Sequence, residues 1–287
     1  MLINTDPNTG QISNFQASPS RLGLGTWQYA KDTALSIDQA DVMFGDAVPN
    51  ASILVADVTS NGCLPIAGHQ QTVRRGIASL YKTWILGALA TAVESGEILL
   101  DQIVTFAPGE YITAGANTTG QFEGVVEMTV QDAANLMMNV IDNGATDVLH
   151  ELLGAAAVND FARSSGHTNP DTLTPLLTVS QFAHLFGTVS SAQVDIFTGD
   201  DEAFGGEVFL FGLRHQWDRI WYKGGGHPGF ATGTFLVRSD GWLVENNDGR
   251  AFAVIAMYNP DEEISDNPFV FDIQSLYARI HQLLTTR

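Results

Sequence analysis

The chain is short of positive charge. Lysine and arginine together number 13 against 32 acidic residues in 287, a formal net charge of −19. Such a surface repels phosphate backbones and anionic lipid, so neither nucleic acid nor membrane is an expected partner. The charge serves solubility and says little about a substrate. Cysteine is nearly absent as well. Cys63 is the sole one, so no intrachain disulfide can form, and its place after Asn61-Gly62, an expected turn, suits a nucleophile poorly. No apolar run approaches the ~20 residues needed to cross a bilayer. The first thirty residues lack the basic-then-apolar order of a signal peptide, and the compartment stays open. No His/Cys/Asp cluster has metal-ligand spacing. Gly224-Gly225-Gly226 lies within or after a strand, the wrong context for a phosphate loop, so no metal or cofactor is expected. What is plentiful is apolar surface: 45% hydrophobic residues suffice for one large unit or two interleaved ones.

Periodicity supplies the elements. Residues 34–46 fit an amphipathic helix, and 51–58 a strand, with Asn61-Gly62 as a hairpin signal into a second strand near 64–67. From Ser79 to about Val93 the sequence reads as a helix apolar on all sides, hence buried. Thr129-Val-Gln-Asp opens another with a threonine cap. Shorter helices are expected near 145–153, 156–164 and 178–186. Strand signals return at 219–223, 232–238 and 251–258, and 269–284 is a last amphipathic helix. The fold expected is α+β: an antiparallel sheet built from both termini, flanked by helices, with an all-helical region inserted. The divisions expected are a polar arm at 1–33, a sheet region at 34–75 and 217–287, and a helical region at 76–216.

The scarcity of lysine makes the three that remain informative. Lys31 lies in a polar stretch, Lys82 follows Ser79 by three positions, and Lys223 opens Lys223-Gly224-Gly225. Lysine, unlike arginine, can lose its proton when desolvated and act as a base. Residues three apart on a helix share a face, so Lys82 can reach Ser79 and take its hydroxyl proton. A serine in the first turn also offers a backbone N–H and the positive end of the helix dipole to a developing oxyanion. Burial, and a second ammonium at Lys223, would depress the pKa of Lys82. The pattern is that of a serine hydrolase working through an acyl-enzyme.

Two further segments extend it: Ile141-Asp142-Asn143 after the helix begun at Thr129, and Trp221-Tyr222-Lys223-Gly224-Gly225-Gly226 on a late strand. Ser-x-x-Lys, Ser-Asp-Asn and Lys-Thr-Gly in that order mark class A β-lactamases and penicillin-binding proteins. From about residue 48 to 285 the chain resembles that superfamily, including Gly124–Met138 before the second motif and Thr234–Val237 after the third. The resemblance implies a β-lactamase-like fold, Ser79 as the acylated nucleophile and Lys82 as its base. It also implies Asn143 on the acyl side chain of the substrate, Lys223 setting the electrostatics, and the N–H groups of Ser79 and Gly226 as the oxyanion hole, with Gly225 beside the substrate; Tyr111 is a candidate wall of an apolar pocket or a core aromatic.

The departures matter as much. Ile141 stands where the family has a serine that relays a proton to the departing nitrogen. Gly224 replaces a hydroxyl residue that binds the substrate carboxylate. No glutamate occurs between Glu151 and Glu202, where the family's deacylating glutamate belongs; Asp171 in Asn169-Pro170-Asp171 is the nearest carboxylate in sequence, more simply read as a Pro-Asp turn. His227 reads as a turn residue, and Tyr81, Trp84 and Trp221 as core or pocket wall. An ester's alkoxide leaves without the help a lactam nitrogen needs. The expected activity is therefore cleavage of small esters in preference to β-lactams by a monomer. A weak β-lactamase or penicillin-binding-type peptidase is one alternative, and a degenerate binding module the other.

Overall fold

The computed structural model describes residues 2–5, 12–16, 29–48, 50–60, 62–107, 125–139, 142–165, 176–177, 217–227, 237–259 and 269–287. Tyr111, Ile141, Asp171 and the expected helix near 178–186 lie outside them. In chain order, β1 (Leu2–Thr5) and β2 (Ile12–Gln16) form a small antiparallel pair. α1 (Ile37–Ala47) then precedes β3 (Ala51–Thr59) and β4 (Gly62–His69), with β5 at Arg75–Gly76. A 3-10 turn, Ala78–Tyr81, runs into α2 (Lys82–Glu94). β6 (Ile103–Phe106), β7 (Val126–Thr129), α3 (Val130–Asn139), α4 (Asn143–Ser164) and β8 (Leu176–Leu177) follow. β9 (Trp217–His227), β10 (Val237–Asn246), β11 (Ala251–Tyr258) and α5 (Phe269–Thr285) complete the order.

Five of these strands make one antiparallel sheet in the order β4-β3-β11-β10-β9. The chain is α+β, with strands from both ends of the sequence in a single sheet and helices against both faces. Each strand alternates its side chains between two cores. On one face Ile53, Val55, Trp242, Val254 and Ala256 pack against Phe44 of α1 and Tyr277 of α5. On the other, Leu54, Ala56, Trp221, Leu243 and Ile255 pack against Trp84, Ile85 and Leu89 of α2. Since α2 also meets α3 and α4, ten of its thirteen residues are buried, as its unbroken apolar run requires.

The structure amends the sequence reading in three places. The strand expected at 232–238 is described as β10, Val237–Asn246, further along the chain. Ser79 does not open an α-helix; it sits in the 3-10 turn, and the α-helix starts at Lys82. The helices expected at 145–153 and 156–164 are one element, 143–164, kinked at Gly154, which adopts φ 75° and ψ 147°. Elsewhere the local signals hold. Ser36 caps α1 with a reciprocal Ser36–Gln39 box, and Thr129 Oγ1 accepts from Asp132 N at 3.0 Å before α3.

Candidate functional site

The turn carrying Ser79 is held from several directions. Arg75, 6% exposed, donates to Ser52 Oγ at 2.7 Å and to the Ala51 carbonyl at 2.9 Å. Gly76 N donates to Asn259 Oδ1 at 3.2 Å, and Ser239 Oγ of β10 donates to the Ile77 carbonyl at 2.6 Å. Ala78, directly before Ser79, has φ 44°. A non-glycine residue in that region is uncommon and costs energy that surrounding structure must hold. Gly225 of β9 explains the close fit from the sheet side. A Cβ there would lie 2.3 Å from the Ile77 oxygen and 2.9 Å from the Leu80 nitrogen, so only glycine lets the strand lie against the turn.

Lys82, one residue past the turn, is fully buried, and its Nζ donates to Asn143 Oδ1 at 2.6 Å. Asn143 is the first residue of α4, whose cap, Asp142, accepts from Ala145 N at 2.8 Å. The first and second sequence segments therefore meet directly. Burial pulls the Lys82 pKa down to about 8, against the opposing charges of Asp147 and Asp142. Lys223 is 2% exposed and donates to the Gly224 carbonyl at 2.6 Å. Its pKa lies well below the ordinary lysine value, first through burial and then through the nearby Lys82 ammonium. The third segment thus faces the first, and the Lys82 ammonium lowers the affinity of Lys223 for a proton. Tyr81 places its ring 5.5 Å from Lys82 Nζ, and burial followed by the charge of Asp147 pushes its hydroxyl up to about 12.

A profile of the beta-lactamase enzyme family matches residues 38–195, more than half of the chain. The chain belongs to that family. Its fold agrees with solved relatives at low identity. A beta-lactamase from Chitinophaga pinensis DSM 2588 superposes with a TM-score of 0.69 at 15% identity, over 89% of this chain and 98% of that one. A class A beta-lactamase representative from Bacteroides cellulosilyticus DSM 14838 gives 0.69 at 16%, over 91% and 99%. PBP-A gives 0.61 at 20%, over 88% and 96%.

Against this beta-lactamase-family background the third segment holds something that sequence reasoning missed. Tyr222, Gly224 and Asp240 lie on the opposite face of the sheet from Lys223, since Gly224 pairs with Asp240 across β9 and β10. Asp240 is fully buried; Tyr222 Oη donates to its Oδ1 at 2.7 Å, Tyr277 Oη lies 3.4 Å from its Oδ2, and Arg238 Nε is 4.0 Å away. Asp240 is the main cause of the raised Arg238 pKa, whereas the Tyr222 pKa is raised first by burial and then by Asp240. A Cβ on Gly224 would fall 2.5 Å from Tyr222 Oη. Gly224 is therefore tied to a tyrosine two positions earlier, a spacing visible in the sequence once the strand is known. Trp84 and Trp221, 1% and 5% exposed, are core residues rather than pocket walls, while Tyr81 packs against that core half-buried. Gly226 pairs with Arg238 and His227 with Val237 at the end of β9. Asp147, half-buried on α4 and one turn past Asn143, is a second residue to which the sequence reading assigned no role.

Proposed function

We propose that this beta-lactamase-family protein is a serine hydrolase that forms an acyl-enzyme on Ser79 and favours small carboxylic esters over β-lactams. The observation that carries this reading is Lys82. It is wholly buried, bonded to Asn143, three residues from Ser79, and depressed to about pKa 8. A lysine with a pKa near 8 is still mostly protonated near physiological pH but keeps a neutral fraction far larger than an ordinary lysine's, and that form can accept the Ser79 proton as Oγ attacks the acyl carbon. Lys223, buried beside Lys82, sets the local electrostatics, and the N–H groups of Ser79 and Gly226 receive the oxyanion of the tetrahedral intermediate. Asn143 holds Lys82 and orients the acyl side chain.

Leaving-group chemistry supports esters. Ile141 has no proton to relay, and position 224 has no hydroxyl and no room for one while Tyr222 keeps its bond to Asp240. An alkoxide or phenoxide tolerates the first loss better than a lactam nitrogen, and a substrate without a carboxylate tolerates the second. The second reading, a slow β-lactamase, draws on the family and on the beta-lactamases that share the fold. A nitrophenyl ester and a chromogenic cephalosporin, each followed by intact mass of wild type and Ser79→Ala, separate the two. Ester turnover with slow cephalosporin hydrolysis, and no adduct on Ser79→Ala, is the expected result. Rapid cephalosporin turnover would refute the ester preference, and labelling of Ser79→Ala would move the nucleophile elsewhere.

A further inference from the structure

An acyl-enzyme on serine is released only when water attacks it, and the attacking water must lose a proton. Among the described residues, two carboxylates bear on the Lys82 site, Asp142 and Asp147. They differ in how they are placed. Asp142 is fully buried, and its Oδ1 is taken by the Ala145 N–H at the start of α4. It holds the helix that presents Asn143 and has no contact with solvent. Asp147 lies four residues beyond Asn143 on the same helix, hence on the same face about 6 Å further along the axis. It is half-buried, so solvent reaches it. Asn143 Oδ1, 2.6 Å from Lys82 Nζ, sets the start of α4 against the Lys82 site, and Asp147 follows one turn along that helix. The charge of Asp147 is felt by both Tyr81 and Lys82, which agrees with that placement.

Resting on the acyl-enzyme reading above, we propose that Asp147 is the general base of deacylation, a catalytic carboxylate supplied by α4 next to Asn143. The Asp147 carboxylate takes one proton from a water molecule as the water oxygen bonds to the acyl carbon of the Ser79 ester. The carbonyl π pair moves onto oxygen, facing the Ser79 and Gly226 N–H groups. Collapse restores the carbonyl and breaks the bond to Ser79 Oγ, which takes the proton back through Lys82 or Asp147. The product is the carboxylic acid, and no further reactant is consumed. Tyr81, its hydroxyl pushed up to about 12 by burial and then by the charge of Asp147, stays protonated throughout.

The test separates the two half-reactions with p-nitrophenyl acetate in stopped flow, with intact mass of quenched samples. In Asp147→Asn the burst of nitrophenolate, which reports acylation, should stay within about threefold of wild type. The steady rate should fall by ~10²-fold or more, the usual contribution of a general base, and acetyl-Ser79 should accumulate stoichiometrically. The residual rate in the variant should rise tenfold per pH unit, as for hydroxide attack, and Asp147→Glu should restore part of the turnover. Asp147→Ser is measured in the same way, so a folding failure in one variant does not decide the matter. An unchanged steady rate in Asp147→Asn would overturn the assignment and leave Lys82 serving both half-reactions. Equal loss of burst and steady rate would overturn it in favour of a positioning role. Turnover with no adduct on Ser79 in any of the proteins, or turnover that persists in Ser79→Ala, would refute the acyl-enzyme reading itself, a result distinguishable from the other two.

Discussion

Replacing Gly224 by alanine puts a methyl group where the Tyr222 hydroxyl already sits. The added Cβ would lie 2.5 Å from Tyr222 Oη, 3.1 Å from Cζ and 3.4 Å from Cε1. The hydroxyl cannot swing away freely, because it donates at 2.7 Å to Asp240, which has no solvent to replace that bond, and its ring lies 5.1 Å from that of Trp242. Overpacking of this kind costs about 1–3 kcal/mol. Breaking the bond to a buried carboxylate adds about 1.5–3 kcal/mol. The sum, about 2.5–6 kcal/mol, corresponds to a fall in Tm of roughly 5–20 °C for a chain of this size. Thermal and urea unfolding of Gly224→Ala, Tyr222→Phe and the double variant close a cycle. In the Tyr222→Phe background the nearest ring atom is the one at 3.1 Å, so the added methyl should cost at least ~1 kcal/mol less. Gly225→Ala is the contrast on the other face: its obstacles include backbone atoms of Ile77 and Leu80, and the expected loss is of ester turnover through displacement of the Ser79 turn. A Gly224→Ala protein that melts within 1 °C of wild type, or an equal penalty in both Tyr222 backgrounds, would refute the reasoning.

Two other outcomes follow from the titrating groups. Lys82 must be neutral to act as base and has its pKa pulled down to about 8, so kcat/KM for an ester should rise with pH, tenfold per unit well below 8, and level off above it. Lys82→Arg should lose at least ~10²-fold, and a flat profile between pH 6 and 9.5 would exclude a titrating lysine. Asp41 of α1 is 1% exposed with both carboxylate oxygens unbonded, and burial, then Asp38, raises its pKa to about 8. The folded state thus holds a proton that the unfolded state has released from about pH 4 upward. Stability relative to Asp41→Asn should fall as pH rises from 4 to 8 and flatten beyond, as read by urea unfolding at several pH values. Parallel stability curves for the two proteins would count against a buried, protonated Asp41.

Much of this protein follows from its sequence because the signals are local. The apolar run after Ser79 had to be a buried helix, the short apolar runs at 51–58 and 251–258 had to be buried strands, and the Ser36 box and the Thr129 threonine mark helix starts with their own side chains. The three spaced segments also foretold a meeting of Ser79, Lys82, Asn143 and Lys223, and the structure brings Lys82 onto Asn143 and Lys223 near Lys82. Other features arise only when distant segments pack. Ala78 takes φ 44° because Ser239 of β10 and Gly225 of β9 hold the turn around it, and nothing in Ile-Ala-Ser announces that. The link between Gly224 and Tyr222 depends on Asp240, brought opposite by the β9–β10 register. Asp147 was passed over in favour of the loop carboxylate Asp171 for the same reason. In sequence it stands 65 residues from Lys82, and its nearness comes from α4 packing against α2, a contact made by burial of apolar faces and readable only from the folded chain.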